Sequence, residues 1–368
     1  MKKNCVVTNL GSHYRLPIYA LMASRFGCHY YLGDRLRSPV KTFDYRSLTG
    51  FRHTLHNVFV GPFYWQCGAV RLLFKPYDVY ILDGEPYCLS AWVMLLLAKA
   101  LGKETIAWTH GWYGREGWLK RIIKKVFYQL HDKLMVYSQY AIALMEREGI
   151  AKNKLFCIAN SLDSDRQKAI RDTLSDMDTY AQHFRNVNPC VIYCGRIQHS
   201  KKLDLLLQAL KRLKDEGHLV NVIFVGKDVD GVGLTALAED LGLEEQVWMY
   251  GPCYDDAVLG QLFHDAYVCV SPGNVGLTAV HALTFGCPII THDNFPYQAP
   301  EFEAIVPGLT GDFFRQGDVN DLAAKILNWT SKNKEQRRQV RQAAYGEIDR
   351  KWNVHYQLEV IEKVIYGQ

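Results

Sequence analysis

Two cations stand at a strand-to-helix turn in the second half of the chain. Gly195-Arg196 ends the apolar run Val191-Ile192-Tyr193-Cys194, and Lys201 follows just before the amphipathic stretch LDLLLQAL. An arginine and a lysine so placed form a receptor for a diphosphate. The helix start adds unpaired backbone donors and the positive end of its dipole, and a guanidinium grips two phosphate oxygens at once. A solvated basic turn has the same composition, so the reading depends on what else the chain places nearby.

Other residues offer chemistry at similar positions. His110, after the apolar run Thr105–Trp108 and before Gly111, is placed to touch and orient a substrate; a structural hydrogen-bonding histidine is the plainer reading. Gly11-Ser12-His13-Tyr14-Arg15 follows the first strand-like run. Its single glycine rules out a dinucleotide fingerprint, and Gly11, Ser12 and Arg15 are read as acceptor-side or phosphate-side candidates, with a plain turn as the alternative. Asp83-Gly84-Glu85 closes another run and offers Glu85. Asp228-Val229-Asp230 has the spacing of a metal-binding pair but reads as a solvated turn. The ten cysteines form no CxxC or Cys/His cluster, so no zinc site is expected. Reduced thiols in a cytosolic protein are the reading.

These residues need rigid elements behind them. Strand-like runs at 191–194, 220–225, 247–250, 266–270 and 288–291 alternate with helical patterns at 203–214, 234–241, 258–264 and 277–285. Such alternation means βαβ units and a parallel sheet. The first half shows runs at 5–8, 29–32, 79–82, 105–108, 134–137 and 156–158. Expected boundaries are an N-terminal α/β domain over 1–165, a polar linker over 166–188, and a C-terminal α/β domain over 189–345. Residues 346–368 read as a C-terminal helix whose parent domain the sequence leaves open, packing back on the first domain being one option. Two doubly wound domains would place a ligand cleft at the carboxyl ends of their strands.

Composition narrows the classes. The 368 residues are 48% hydrophobic and 22% charged, with a formal charge of +5, an ordinary globular balance and too mild a charge for a dedicated nucleic-acid binder. The N-terminal stretch reads as a first strand rather than a signal peptide. The apolar stretch 89–101 falls short of the ~20 residues that a membrane span needs and reads as a buried helix.

Several segments, in this order, resemble the retaining GT-B glycosyltransferases of family 4, the group 1 glycosyl transferases. GRIQHSKKLDLLLQAL is similar to that family's Gly-Arg-x4-Lys diphosphate segment, FVGKDVDG to the next strand-glycine turn, and VWMYGPC to the strand and loop beside the base. GLTAVHALTFGCPIITHD resembles the helix and strand covering ribose and phosphate, and Glu303 stands before Gly311 at a family-like spacing. IANSLD and TIAWTHG resemble an interdomain segment and the strand carrying a cleft histidine. The resemblance implies a GT-B fold, with His110, Arg196 and Lys201 as catalytic residues. It also implies donor contacts at Gly195, Gly226, Cys253, Gly273, Asn274, Val275, Gly276, Leu277 and His281. One departure stands out: Gly273 and His281 occupy the positions of the family's two glutamates. An imidazole can take over one hydrogen bond to ribose; Gly273 offers only backbone to the donor sugar.

The segment from Arg115 to Lys125 begins a helix in which Trp118, Leu119, Ile122, Ile123, Val126, Phe127 and Leu130 share one stripe, with Lys120, Arg121, Lys124 and Lys125 beside it. A core-packed helix with a basic outer face is one reading; a surface docking on anionic lipid is the other.

The chain is therefore expected to move a sugar, with retention, from a nucleotide diphosphate-sugar to a glycan or lipid-linked acceptor. The setting implied is bacterial cell-surface polysaccharide synthesis, in the cytoplasm or peripherally on the inner face of the membrane. No metal or other cofactor and no nucleic acid is expected. A hydrolase or epimerase of the same fold, or a non-catalytic glycan-binding or scaffold subunit, are the alternatives.

Overall fold

The computed structural model describes residues 2–37 and 40–367. They divide into two compact units: residues 1–162 with 354–368, and residues 163–353.

The first unit is built on strands β1 (Asn4–Thr8), β2 (His29–Gly33), β3 (Phe51–Leu55), β6 (Val79–Asp83), β7 (Glu104–Thr109), β8 (Lys133–Val136) and β9 (Leu155–Cys157), with a hairpin of β4 (Asn57–Val60) and β5 (Phe63–Gln66) set between β3 and β6. Helices α1 (Leu16–Phe26), α2 (Leu89–Ala100), α3 (Trp118–Leu130) and α4 (Gln139–Arg147) complete the crossovers. The seven strands run in the order β3-β2-β1-β6-β7-β8-β9, and every pairing is parallel. Central strands such as β1 are buried along their length, as a sheet covered on both faces requires. The edge strand β3 is mostly exposed, and its polar FRHTL gives no apolar alternation to read.

The second unit opens with α5 (Ser164–Arg171), which overlaps the start of the stretch expected as a linker, and α6 (Thr179–Phe184), which lies inside it. There follow β10 (Cys190–Cys194), α7 (Leu203–Asp215), β11 (Asn221–Val225), α8 (Leu234–Asp240), β12 (Val247–Gly251), α9 (Asp256–Asp265), β13 (Val268–Ser271), α10 (Leu277–Thr284), β14 (Ile289–His292), β15 (Gly311–Phe314), α11 (Val319–Thr330) and α12 (Lys334–Arg350). The sheet order is β12-β11-β10-β13-β14-β15. Helix α7 buries Leu203, Leu206, Leu207, Leu210 and Leu213, the stripe its 3.6-residue period dictates. Residues 163–188 are bound into this unit, not left as a linker. Arg171 donates to both oxygens of Asp349 on α12, at 3.2 and 3.0 Å, and lies 4.3 Å over the Tyr345 ring.

The C-terminal segment is two helices. Helix α12 stops at Arg350, where the Asn353 amide donates to the carbonyls of Ile348 and Asp349 at 2.9 Å each, so a side chain takes the place of the next helical turn. Helix α13 (Val354–Tyr366) then belongs to the first unit, packing its Ile361, Val364 and Ile365 with Val6, Ile106 and Met135. The buried Gln357 fixes its depth: it donates to the Ala159 carbonyl at 3.0 Å and accepts from the Ser161 hydroxyl at 2.8 Å. Gln357→Ala should cost about 2–4 kcal/mol through the cavity and the two orphaned groups, read as a lowered denaturant midpoint.

Candidate functional sites at the two strand-order reversals

Each sheet reverses its winding once, at β1/β6 in the first unit and at β10/β13 in the second. At such a reversal the loops leave the strand ends in opposite directions and open a crevice.

In the second unit that crevice is bounded by the loops after β10 and β13. The backbone after β10 is zipped to the loop after β11: Gly195 donates to the Val225 carbonyl at 2.9 Å and Ile197 to that of Lys227 at 3.0 Å. A side chain on Gly226 would strike the Gly195 carbonyl, so only glycine allows this approach. Arg196 is exposed, with no ion pair among the described residues. The Lys201 ammonium donates to both the carbonyl and the side-chain oxygen of Asn274, at 2.8 Å each. Burial, with the nearby Arg196 charge adding to it, brings Lys201 down to about 8; the buried Glu301 carboxylate acts in the opposite direction. Helix α10 begins beside this pair with Gly276 as N-cap and no capping side chain. Its Thr278 hydroxyl donates to the Cys194 carbonyl at 3.2 Å, tying the helix start to the end of β10.

Gly273 is fixed by sterics. Its amide donates to the Lys201 carbonyl at 2.8 Å, and a Cβ there would lie 2.4 Å from the Ser200 carbonyl oxygen and 2.7 Å from Lys201 Cα. No carboxylate fits while Lys201 keeps its place. The Val275 side chain is buried and its amide is taken by Gln298 at 2.8 Å, so this donor-side candidate is already engaged within the fold. The His281 Nε2 lies 3.6 Å from Asp256 Oδ1, among Phe263 and Phe285. Burial lowers its pKa to about 4, outweighing Asp256; the ring is neutral at pH 7, so the contact is no ionic bridge. Cys253 is half-buried, its thiol directed at the Asp255 carbonyl. Asp228 accepts from the amides of Asp230, Gly231 and Val232, which makes it a turn-forming residue, and Asp230 accepts from the His199 amide at 3.1 Å.

In the first unit the reversal opens into a cavity of about 800 Å³. Its floor gathers Ser12 and Arg15 from after β1, Asp83 and Glu85 from the end of β6, His110 from after β7, and Tyr137 from after β8. Gly11 does not line it; that glycine packs under Tyr45, whose hydroxyl accepts from its amide at 3.0 Å. Arg15 is bonded to the Tyr137 hydroxyl and lies 4.8 Å over the Trp108 ring. His110 opens to the cavity between Tyr113 and Tyr137. The protein crowding it, then the charges of Arg15 and Lys124, lower its pKa to about 4. It is therefore a neutral hydrogen-bonding ring at pH 7. Burial pushes the Asp83 carboxyl up to about 6, against the Asn9 amide and Arg15, and raises Glu85 too. Asp83 and Glu301 are the two groups of interest that sequence reasoning left out of the site; a strand-end carboxylate was the only signal for the first, and none marked the second.

Helix α3 faces the opposite way to a core helix. It buries Lys124, Phe127 and Tyr128 and exposes Trp118 (73%), Leu119 (55%), Ile122 (52%), Ile123 (39%) and Val126 (45%). Lys124 is no surface cation: it donates to the Gly111 carbonyl at 2.6 Å and pairs with Glu116 at 2.7 Å. Glu116 in turn accepts from the Tyr113 and Gly114 amides at 2.9 Å each, so the pair holds the loop after His110. Arg121 pairs with Glu148 at 2.7 Å. Helix α2, expected to be buried, leaves Leu89, Leu96 and Leu97 exposed. Among the described residues no helix is long and apolar enough to cross a membrane, and all ten cysteines are free thiols.

Comparison with known proteins bears on the fold. The chain is similar in structure to Anabaena Alr3699/HepE in complex with UDP, at 15% identity over 100% of both chains with a TM-score of 0.75. It is similar also to the lipopolysaccharide outer core galactosyltransferase WaaB, at 16% identity over 99% of each chain and a TM-score of 0.73. A third is the sucrose-phosphate synthase of Thermosynechococcus elongatus, at 16% identity over 100% of this chain and 99% of that one, with a TM-score of 0.69. At such identities the likeness establishes the fold, which is GT-B with two Rossmann-like units. Residues 179–347, nearly all within the second unit, match the family model for glycosyl transferases group 1. No curated protein matches the chain.

Two outcomes follow from this geometry. Gly273→Glu, which writes a carboxylate back into the motif, should push the 200–201 backbone aside; the cost is about 1–3 kcal/mol of stability, with weaker nucleotide binding, both read by thermal shift with and without UDP. Because Lys201 loses its proton above about 8, affinity for a nucleoside diphosphate should hold below that pH and fall above it. Calorimetric titration should show up to about tenfold weaker binding at pH 9.

Proposed function

We propose that the protein is a glycosyltransferase that moves a sugar from a nucleotide diphosphate-sugar to a glycan or lipid-linked acceptor with retention of configuration. The observation that carries this reading is Arg196 and Lys201 together at the strand-order reversal of the second unit, beside the uncapped start of α10. Breaking the sugar–phosphate bond loads negative charge on the departing diphosphate. Fixed positive charge and backbone amides aimed at that group lower the barrier without reorganisation. Asn274 holds the Lys201 ammonium from one side, so the charge is in place before the donor arrives. His281 offers one neutral nitrogen to a ribose hydroxyl.

The first unit supplies the acceptor side. Its cavity floor presents a neutral imidazole at His110, carboxyls at Asp83 and Glu85, and the guanidinium of Arg15. That mixture of donors and acceptors suits sugar hydroxyls, which need both. His110, held between the Tyr113 and Tyr137 rings at the cavity, orients the reacting groups. In this reading the two cations stand where other transferases use a divalent ion, so no metal is needed. Retention rests on the family resemblance of the 195–311 segment. A role in bacterial surface polysaccharide synthesis, on the inner face of the cytoplasmic membrane, is supported by the likeness to a lipopolysaccharide galactosyltransferase and by the apolar face of α3.

A panel of UDP-, GDP-, ADP- and dTDP-sugars, followed for nucleotide release with and without EDTA, tests the proposal. One donor should turn over equally in both conditions, and Arg196→Ala should lower kcat/KM by ~10² or more, the scale of a lost charge-stabilising donor. Loss of turnover in EDTA contradicts the cation-only mechanism, and absence of nucleotide binding contradicts the function.

A further inference from the structure

The α3 face and the cavity are not separate features. Trp118, Leu119, Lys120 and Ile123 line the cavity mouth, while Ile122 and Val126 continue the same apolar stripe outward along the exposed side of the helix. Phe63 and Tyr87 close the mouth from the hairpin side, their rings 6.0 Å apart. One cavity therefore has polar lining at His110, Arg15 and Asp83 and apolar lining at Trp118, Leu119 and Ile123 that continues into an uncovered apolar helix face. The helix is not loosely attached: Lys124–Glu116 and Arg121–Glu148 pin it from both sides. Five large apolar side chains thus face water while the opposite side of α3 is packed, a pattern that marks an interaction surface.

Charge selects the occupant. Of the five cations between Arg115 and Lys125, Lys124 is buried against Glu116, Arg121 is paired with Glu148 and Arg115 lies over the Tyr113 ring, which leaves Lys120 and the half-buried Lys125 beside the stripe. Lys120 stands exposed at the lip, 5.6 Å over the Tyr87 ring. An apolar stripe edged by cations matches the interface of an anionic bilayer, where chains take up the stripe and headgroup phosphates meet the lysines. A protein partner would account for the stripe but not for its continuation into a polar-floored cavity. An amphiphile accounts for both.

The geometry points to one composite site for a membrane lipid with a phosphate-linked headgroup. Its chain lies along Trp118, Leu119, Ile122, Ile123 and Val126, its phosphate meets Lys120, and its polar head enters the cavity toward His110. This rests on the glycosyltransferase reading and narrows it: the acceptor is taken from a bilayer as a lipid phosphate, not as a free glycan.

The test uses the full chain with vesicles of phosphatidylcholine containing phosphatidylglycerol, and with farnesyl phosphate as a soluble probe. Wild type should float with the vesicles and bind farnesyl phosphate, with inorganic phosphate failing to compete. Ile122→Glu combined with Val126→Glu, both outside the cavity lining, should weaken flotation tenfold or more with unchanged circular dichroism and unchanged UDP affinity. Lys120→Gln should weaken farnesyl phosphate binding about tenfold while the protein stays folded. Flotation of the double variant equal to wild type overturns the proposal, as does absence of wild-type flotation. A dimer of wild type that the double variant dissolves also overturns it, in favour of self-association. UDP titration is read separately: its failure removes the glycosyltransferase reading while leaving the lipid result standing.

Discussion

A parallel sheet cannot cover the ends of its strands where its winding direction reverses. That constraint acts once in each unit, at β1/β6 and at β10/β13, and the groups with chemical potential collect there. The second unit gathers two cations and an uncapped helix start at its reversal. The first gathers an imidazole, two carboxyls and a guanidinium around a cavity. Everything else in the fold serves to keep these loops in register. Glycines at 226 and 273 let backbones approach within contact, and Thr278 ties the start of α10 to the end of β10.

The two crevices differ in electrostatic character. In the second unit Arg196 and Lys201 repel one another, and the Lys201 ammonium is kept near neutrality in pKa by burial. An anion bound between them would relieve that repulsion, which suits the pair to a diphosphate. In the first unit burial works on groups of both signs. The surrounding protein drives the cavity-facing His110 down to about 4 and burial drives Asp83 up to about 6, so at pH 7 the imidazole is neutral while the Asp83 carboxyl is still mostly ionised. A neutral imidazole beside carboxylates that accept and a guanidinium that donates offers uncharged hydroxyls both kinds of partner.

Much of this was legible in the sequence. Alternating apolar runs and helical stripes locate β10 to β14 because buried parallel strands are apolar along their whole length. The edge strand β3, the β4–β5 hairpin and the four-residue β15 carry no such signal. The Gly-Arg-x4-Lys segment marked the two cations, and the missing glutamate at 273 was visible as well. Its cause was not, because the contact with Ser200 and Lys201 is a property of two loops far apart in sequence. The orientation of α3 was equally out of reach. Periodicity shows which side chains share a face, but Phe127 and Tyr128 are as apolar as Trp118 and Ile122. Only packing decides that the buried side also takes Lys124. Asp83 and Glu301 acquire interest through burial alone.

The central claim is that the reversal in the second unit receives a nucleoside diphosphate. Hydrogen–deuterium exchange of the full chain with and without saturating UDP tests it most directly. The account predicts slowed exchange confined to the second unit, at 195–202 and at 273–280, where the cation loop, Gly273 and the first turn of α10 meet. Protection confined to other segments, or no change at any UDP concentration, would contradict it.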